Sequence, residues 1–107
     1  MRLYNTLTKE LEEFQSTEKG KARVYTCGPT VYNYAHIGNL RAFMLGDIIT
    51  RVLRQSDYDV THVENITDVD DKTIHGAHNE CISLSKFTEK FTNAYFRKFG
   101  NFSIRAE

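Results

Sequence analysis

Three residue types with chemical potential fall within one short stretch, CGPTVYNYAHIGN, residues 27–39: the thiol of Cys27, the hydroxyl of Thr30 and the imidazole of His36. A thiolate at Cys27 can ligate a metal ion. No second cysteine lies two or three residues away, so a closed structural zinc site is not indicated, and a small buried side chain is the plainer reading of Cys27. His36-Ile37-Gly38-Asn39 precedes an apolar helical run, where unpaired backbone N–H groups and the helix dipole favour an anion. Gly38 would let a phosphate approach the backbone closely. A nucleoside triphosphate suits that setting, although these four residues taken alone read more simply as an ordinary helix start. Farther along, Asp68, Asp70 and Asp71 could hold magnesium or could cap and complement a helix N-terminus. His75 and His78 have the spacing to share a metal on one helical face, and read more simply as surface histidines.

The elements that position these residues follow from periodicity and turn chemistry. Leu3–Thr6 and Glu13–Phe14 read as short extended pieces, followed by turn residues such as Ser16, Lys19 and Gly20. Ala22–Cys27 (ARVYTC) is a strand that Gly28-Pro29 is expected to end. From about Gly38 to Gln55, Leu40, Met44, Ile48 and Val52 recur at four-residue steps and Phe43, Ile49 and Leu53 widen the stripe, which predicts an amphipathic helix. Val60–Ile66 is a second strand, and Thr67-Asp68 offers a cap for a helix over about Asp70–Asn79. A last helix, about Ser83–Phe99, carries Leu84, Phe87, Phe91, Tyr95 and Phe99 on one side, and Gly100-Asn101 reads as a loop.

Strand, helix, strand, helix predicts an α/β fold with a parallel sheet and flanking helices, joined by a right-handed crossover. Ligands of such sheets bind beyond the carboxyl ends of the strands. The segment from Cys27 to His36 and the segment from Asn65 to Asp71 occupy those positions, so both are expected to line one pocket.

Composition narrows the classes. A length of 107 residues suits one compact domain or a piece of a larger one. Fourteen basic and fourteen acidic residues leave no net charge, so nothing marks a general nucleic-acid or membrane binder. The chain has neither a long apolar run nor a signal-peptide core, and a cytoplasmic location is the expectation. Cys27 and Cys81, far apart and in unlike settings, read as two free thiols in a reducing compartment.

LYNTLT at 3–8, YTCGPTVYNYAHIGNLR at 25–41 and NITDVDDK at 65–72 resemble, in order and spacing, the opening segment of the cysteinyl-tRNA synthetases. His36-Ile37-Gly38-Asn39 then corresponds to the HIGH signature of class I aminoacyl-tRNA synthetases, with Asn39 in place of its last histidine. The resemblance implies the first half of a Rossmann-like nucleotide-binding fold. Residues 1–107 would be the N-terminal portion of the catalytic domain, with no anticodon-binding domain.

The resemblance also implies roles. Cys27 would be one ligand of a zinc ion that binds the thiolate of substrate L-cysteine, which discriminates against serine. Gly28 would leave room beside the metal, and Thr30 and Thr67 would line the amino-acid pocket. His36, Gly38 and Asn39 would bind ATP, supplied with magnesium, and His36 and Asn39 would stabilise charge as the cysteine carboxylate attacks the α-phosphorus. Cysteinyl adenylate would result and pass to tRNA(Cys). The KMSKS-type loop and the remaining zinc ligands are not found here, so the rest of the synthetase chain is an expected partner and the isolated chain is expected to be inactive. Two other readings remain: a ligase joining activated cysteine to an amino sugar, and a non-enzymatic fragment that binds a nucleotide or a partner protein.

Overall fold

A computed structural model describes residues 1–99. The expected loop at Gly100-Asn101 lies outside them. The chain opens with an antiparallel hairpin, β1 (Arg2–Asn5) and β2 (Glu10–Glu13), with Tyr4 opposite Leu11. The second extended piece therefore lies earlier than Glu13–Phe14. Asn5 makes the turn: its Oδ1 accepts the Leu7 amide at 3.0 Å, and Lys9 closes it in the left-handed region at φ 60°. Phe14 then stacks edge-on against Tyr58 at 5.6 Å, fastening the hairpin to the main body.

The main body is a two-stranded parallel sheet, β3 (Lys21–Thr30) and β4 (Asp59–Thr67), connected through α1 (Ile37–Gln55) and followed by α2 (Asp71–Asn79) and α3 (Leu84–Phe99). Here β3 does not stop at Gly28-Pro29. It passes through a register shift between Cys27 and Thr30 and pairs again at Thr30↔Thr67. Pro29 cannot donate to a ladder, and the irregularity is where that deficit costs least.

α1 also differs from its periodicity. The buried positions are Phe43, Gly46, Thr50 and Leu53, whereas Met44 and Ile48 are about half exposed, at 50% and 52%. Helix and sheet approach closely at Gly46, where a Cβ would come within 2.9 Å of Thr26 Cγ2. Small residues set this contact, and an apolar repeat cannot reveal them.

Both helix ends that follow a strand–helix unit close in the same way. After α1, Asp57 adopts φ 62°, its amide reaches the Arg54 carbonyl at 3.1 Å, and the Tyr58 amide reaches that of Leu53 at 3.2 Å. After α2, Cys81 adopts φ 53°, with amide bonds from Cys81 to His78 and from Ile82 to Ala77, each 3.1 Å. These are Schellman closures with non-glycine residues in the left-handed position. The second seats Ile82 against the core of Val31, Ala77, Phe87 and Phe91. Gly76 makes room there: a Cβ would lie 2.2 Å from Phe87 Cζ.

Candidate functional site

β3 and β4 run parallel, so their carboxyl ends share one end of the sheet, and the start of α1 follows directly from β3. Cys27 is paired with Asn65 and Thr30 with Thr67, which places the two expected segments side by side. The Cys27 thiol is free and exposed, not a buried apolar group.

Asn65, which the sequence reading did not single out, holds this end together. Its Oδ1 accepts the Gly28 amide at 3.2 Å, and its Nδ2 donates to Thr67 Oγ1 at 3.0 Å. The Thr67 carbonyl in turn accepts the Val31 amide at 3.0 Å. Gly28 lies so close to β4 that a Cβ would sit 2.0 Å from the Asn65 carbonyl oxygen, so no other residue fits without moving a strand. The available signal was an asparagine near the carboxyl end of the strand DVTHVENIT, where a side-chain amide can reach neighbouring backbone groups.

His36 is the N-cap of α1, in extended geometry at φ −114° and ψ 174°. Its Nδ1 accepts the Gly38 amide at 3.1 Å, and its own amide donates to Asn39 Oδ1 at 3.1 Å. The two side chains form a reciprocal capping box. With Nδ1 accepting, the proton of the neutral ring resides on Nε2, which is left as a donor for a ligand. A Cβ at Gly38 would fall 2.9 Å from His36 Cε1, so a larger residue there would displace the imidazole from its capping position.

The cap of α2 is Asp70, not Thr67-Asp68. Its Oδ1 accepts the Lys72 amide at 2.9 Å, and its amide donates to the fully buried Thr73 hydroxyl at 2.9 Å. Thr67 is still in β4, so the helix cannot begin there. Capping thus accounts for Asp70, while Asp68 and Asp71 face solvent. Among the described residues, no three His, Cys, Asp or Glu side chains gather closely enough to hold a metal ion, His75 and His78 included. The described residues around the Cys27 thiol therefore do not by themselves make up a metal site.

The segment between Thr30 and His36 is pinned by aromatics. Lys72 Nζ lies 4.9 Å over the Tyr32 ring, and Tyr34 meets Phe91 edge-on at 5.2 Å with Lys98 on it at 5.9 Å. Three titratable groups on or against the sheet are shifted from their ordinary values. Burial, with Arg54 nearby, holds the His62 imidazole below its usual range against the opposing pull of Asp47, and its Nε2 is 2.8 Å from Thr26 Oγ1. Burial pushes the Glu64 carboxyl up, opposed by a hydrogen bond from Tyr95, whose own hydroxyl is pushed far up by burial and by Glu64.

Against known proteins, the family described as "tRNA synthetases class I (C) catalytic domain" matches residues 13–107. The chain belongs to this family. Similar relatives include the cysteine–tRNA ligase of Clostridioides difficile (strain 630), 52% identical over 96 residues, covering 90% of this chain and 21% of that protein. The Geobacillus thermodenitrificans cysteine–tRNA ligase is also 52% identical over 96 residues, with 90% and 21% covered, and that of Brachyspira hyodysenteriae is 46% identical over 102 residues, with 95% and 22% covered. The chain thus spans about a fifth of the length of these curated relatives. As a class I synthetase catalytic segment, it has the α/β, parallel-sheet architecture expected from its sequence. No helix among the described residues is long and apolar enough to cross a membrane.

Proposed function

We propose that this chain is the N-terminal portion of the catalytic domain of a cysteine–tRNA ligase, with residues 1–107 supplying part of the site that activates L-cysteine with ATP and passes it to tRNA(Cys). The observation that carries this reading is the side-by-side placement of the Cys27–Thr30 and Asn65–Thr67 segments at the sheet end from which α1 departs. The family match and the names of the relatives support it over an amino-sugar ligase or a non-enzymatic fragment.

In this reading Thr30 and Thr67 line the amino-acid side of the pocket, and Gly28 keeps the backbone clear of it. His36 Nε2 and the amides at the start of α1 hold ATP phosphates, delivered with magnesium, and oppose the charge that grows as the cysteine carboxylate attacks the α-phosphorus. Asn39 holds His36 in place through its amide, and Gly38 admits both the imidazole and a phosphate. Nothing in this account requires the protein to form a covalent bond to substrate; it works by positioning and electrostatics. Cys27 would be one ligand of a zinc ion, which when bound supplies selection of a thiolate over a hydroxyl.

The remaining ligands and the opposing phosphate contacts would come from the rest of the synthetase chain. The uncovered Met44, Ile48, Tyr25 and Val63 support a further packing layer on α1 and the sheet. A cytoplasmic location goes with this reading.

The test is cysteine-dependent exchange of pyrophosphate into ATP, followed by charging of tRNA(Cys), by the protein as naturally encoded. Exchange with cysteine and charging of tRNA support the proposal. Exchange without charging, with transfer to an amino sugar instead, would favour the sister ligase.

A further inference from the structure

Glu64 occupies an expensive position. It lies on β4 opposite Thr26, and its Oε2 is buried without a hydrogen-bond partner among the described residues. A buried, half-satisfied carboxyl is a poor way to stabilise a fold. Its Oε1 accepts the Tyr95 hydroxyl of α3 at 3.3 Å. Its Cγ lies against Gly28, where a Cβ would come within 2.9 Å of it. Tyr95 is itself buried and packs edge-on against Phe43 of α1 at 5.4 Å. A line of contacts therefore runs from α3 through Tyr95 and Glu64 to the residue next to Cys27.

The same helix touches the other end of that segment, where Phe91 and Lys98 engage Tyr34, two residues before His36. α3 thus spans the stretch that carries both candidate substrate contacts. We propose that Glu64 and Tyr95 are positioning residues, through which α3 fixes the Cys27–Gly28 backbone and with it the placement of the Cys27 thiol. This rests on the functional reading above for its consequence, selective control of cysteine binding, but the mechanical link stands on the contacts alone.

Two readouts on the naturally encoded protein test it. The first is alkylation of Cys27 in metal-free protein, followed peptide by peptide by mass spectrometry with Cys81 as internal control. Tyr95→Phe and Glu64→Leu should each change the Cys27 rate by about 3- to 10-fold, the scale of one lost hydrogen bond, with Cys81 within about twofold. Glu64→Gln keeps an acceptor for Tyr95 and should lie nearer wild type than Glu64→Leu. The second readout is KM for cysteine, which should rise by a similar factor in Tyr95→Phe while KM for ATP stays within about twofold. An unchanged Cys27 rate in Tyr95→Phe, or an equal change at Cys81, overturns the proposal, as does a parallel rise in both KM values. If the wild-type protein shows no cysteine-dependent exchange, the functional reading fails, while the alkylation ratio still decides the link.

Discussion

His36 and Asn39 hold each other at the start of α1: the His36 amide donates to Asn39 Oδ1 at 3.1 Å while His36 Nδ1 takes the Gly38 amide at 3.1 Å. The imidazole thus has a structural edge and a free edge, and substitutions can separate them. His36→Ala should cost about 1 kcal/mol of stability through the lost cap, whereas His36→Asn should restore most of it. Both should slow adenylate formation by roughly 10² to 10³, because neither supplies the Nε2 donor. Chemical denaturation alongside single-turnover kinetics reads the two effects. If His36→Asn recovered the rate along with the stability, His36 would be a cap and nothing more.

Gly28→Ala places a methyl group on the Asn65 carbonyl, at 2.0 Å before relaxation. Relief requires β3 and β4 to separate locally, and such overpacking costs about 1–3 kcal/mol. The loss should be accompanied by weaker cysteine binding, because the moved backbone carries Cys27. A variant of wild-type stability would mean that the close approach is not maintained in solution.

The β3–α1–β4 unit was visible because strand-forming runs and a helical repeat are long-range averages that survive local irregularity. What escaped was set by single residues. The bulge that carries β3 past Pro29 depends on the Val31 amide finding the Thr67 carbonyl, which no strand signal encodes. The buried face of α1 centres on Gly46 and Thr50, which a count of large apolar residues ignores. In the site, Cys27, Thr30 and His36 could be named from chemistry, but Asn65 and the Glu64–Tyr95 pair act through contacts across elements.

Asp57 sits in the left-handed position that ends α1, at φ 62°. Asp57→Gly removes the Cβ conflict and should stabilise the chain by about 0.5–1 kcal/mol, net of the added freedom of the unfolded chain. Urea denaturation reads the change. Destabilisation would show that the aspartate side chain contributes more than its backbone strain costs.

His62 gives stability a dependence on pH. Its folded-state affinity for a proton lies below the usual value of 6.5, through burial first and then Arg54. Below that value the unfolded chain binds more protons than the folded one, so this residue's contribution is intact above pH 6.5 and is lost as pH falls toward the lowered value. His62→Gln, which can keep a bond to Thr26, should therefore lose less stability than wild type between about pH 7.5 and about pH 5.5. Parallel loss in both proteins would assign the pH dependence elsewhere.

The proposed division of labour along one segment, thiol selection at Cys27 and phosphate handling at His36, is tested most directly by comparing Cys27→Ser with His36→Asn in single-turnover formation of cysteinyl adenylate, at varied cysteine and fixed, saturating ATP, in the naturally encoded protein. Cys27→Ser should raise the cysteine concentration required and erode the preference for cysteine over serine. His36→Asn should leave that concentration nearly unchanged and lower the saturated rate by roughly 10² to 10³. Equal loss of cysteine affinity in both variants, with wild-type rates at saturation, would contradict the assignment and leave the segment as a folding element.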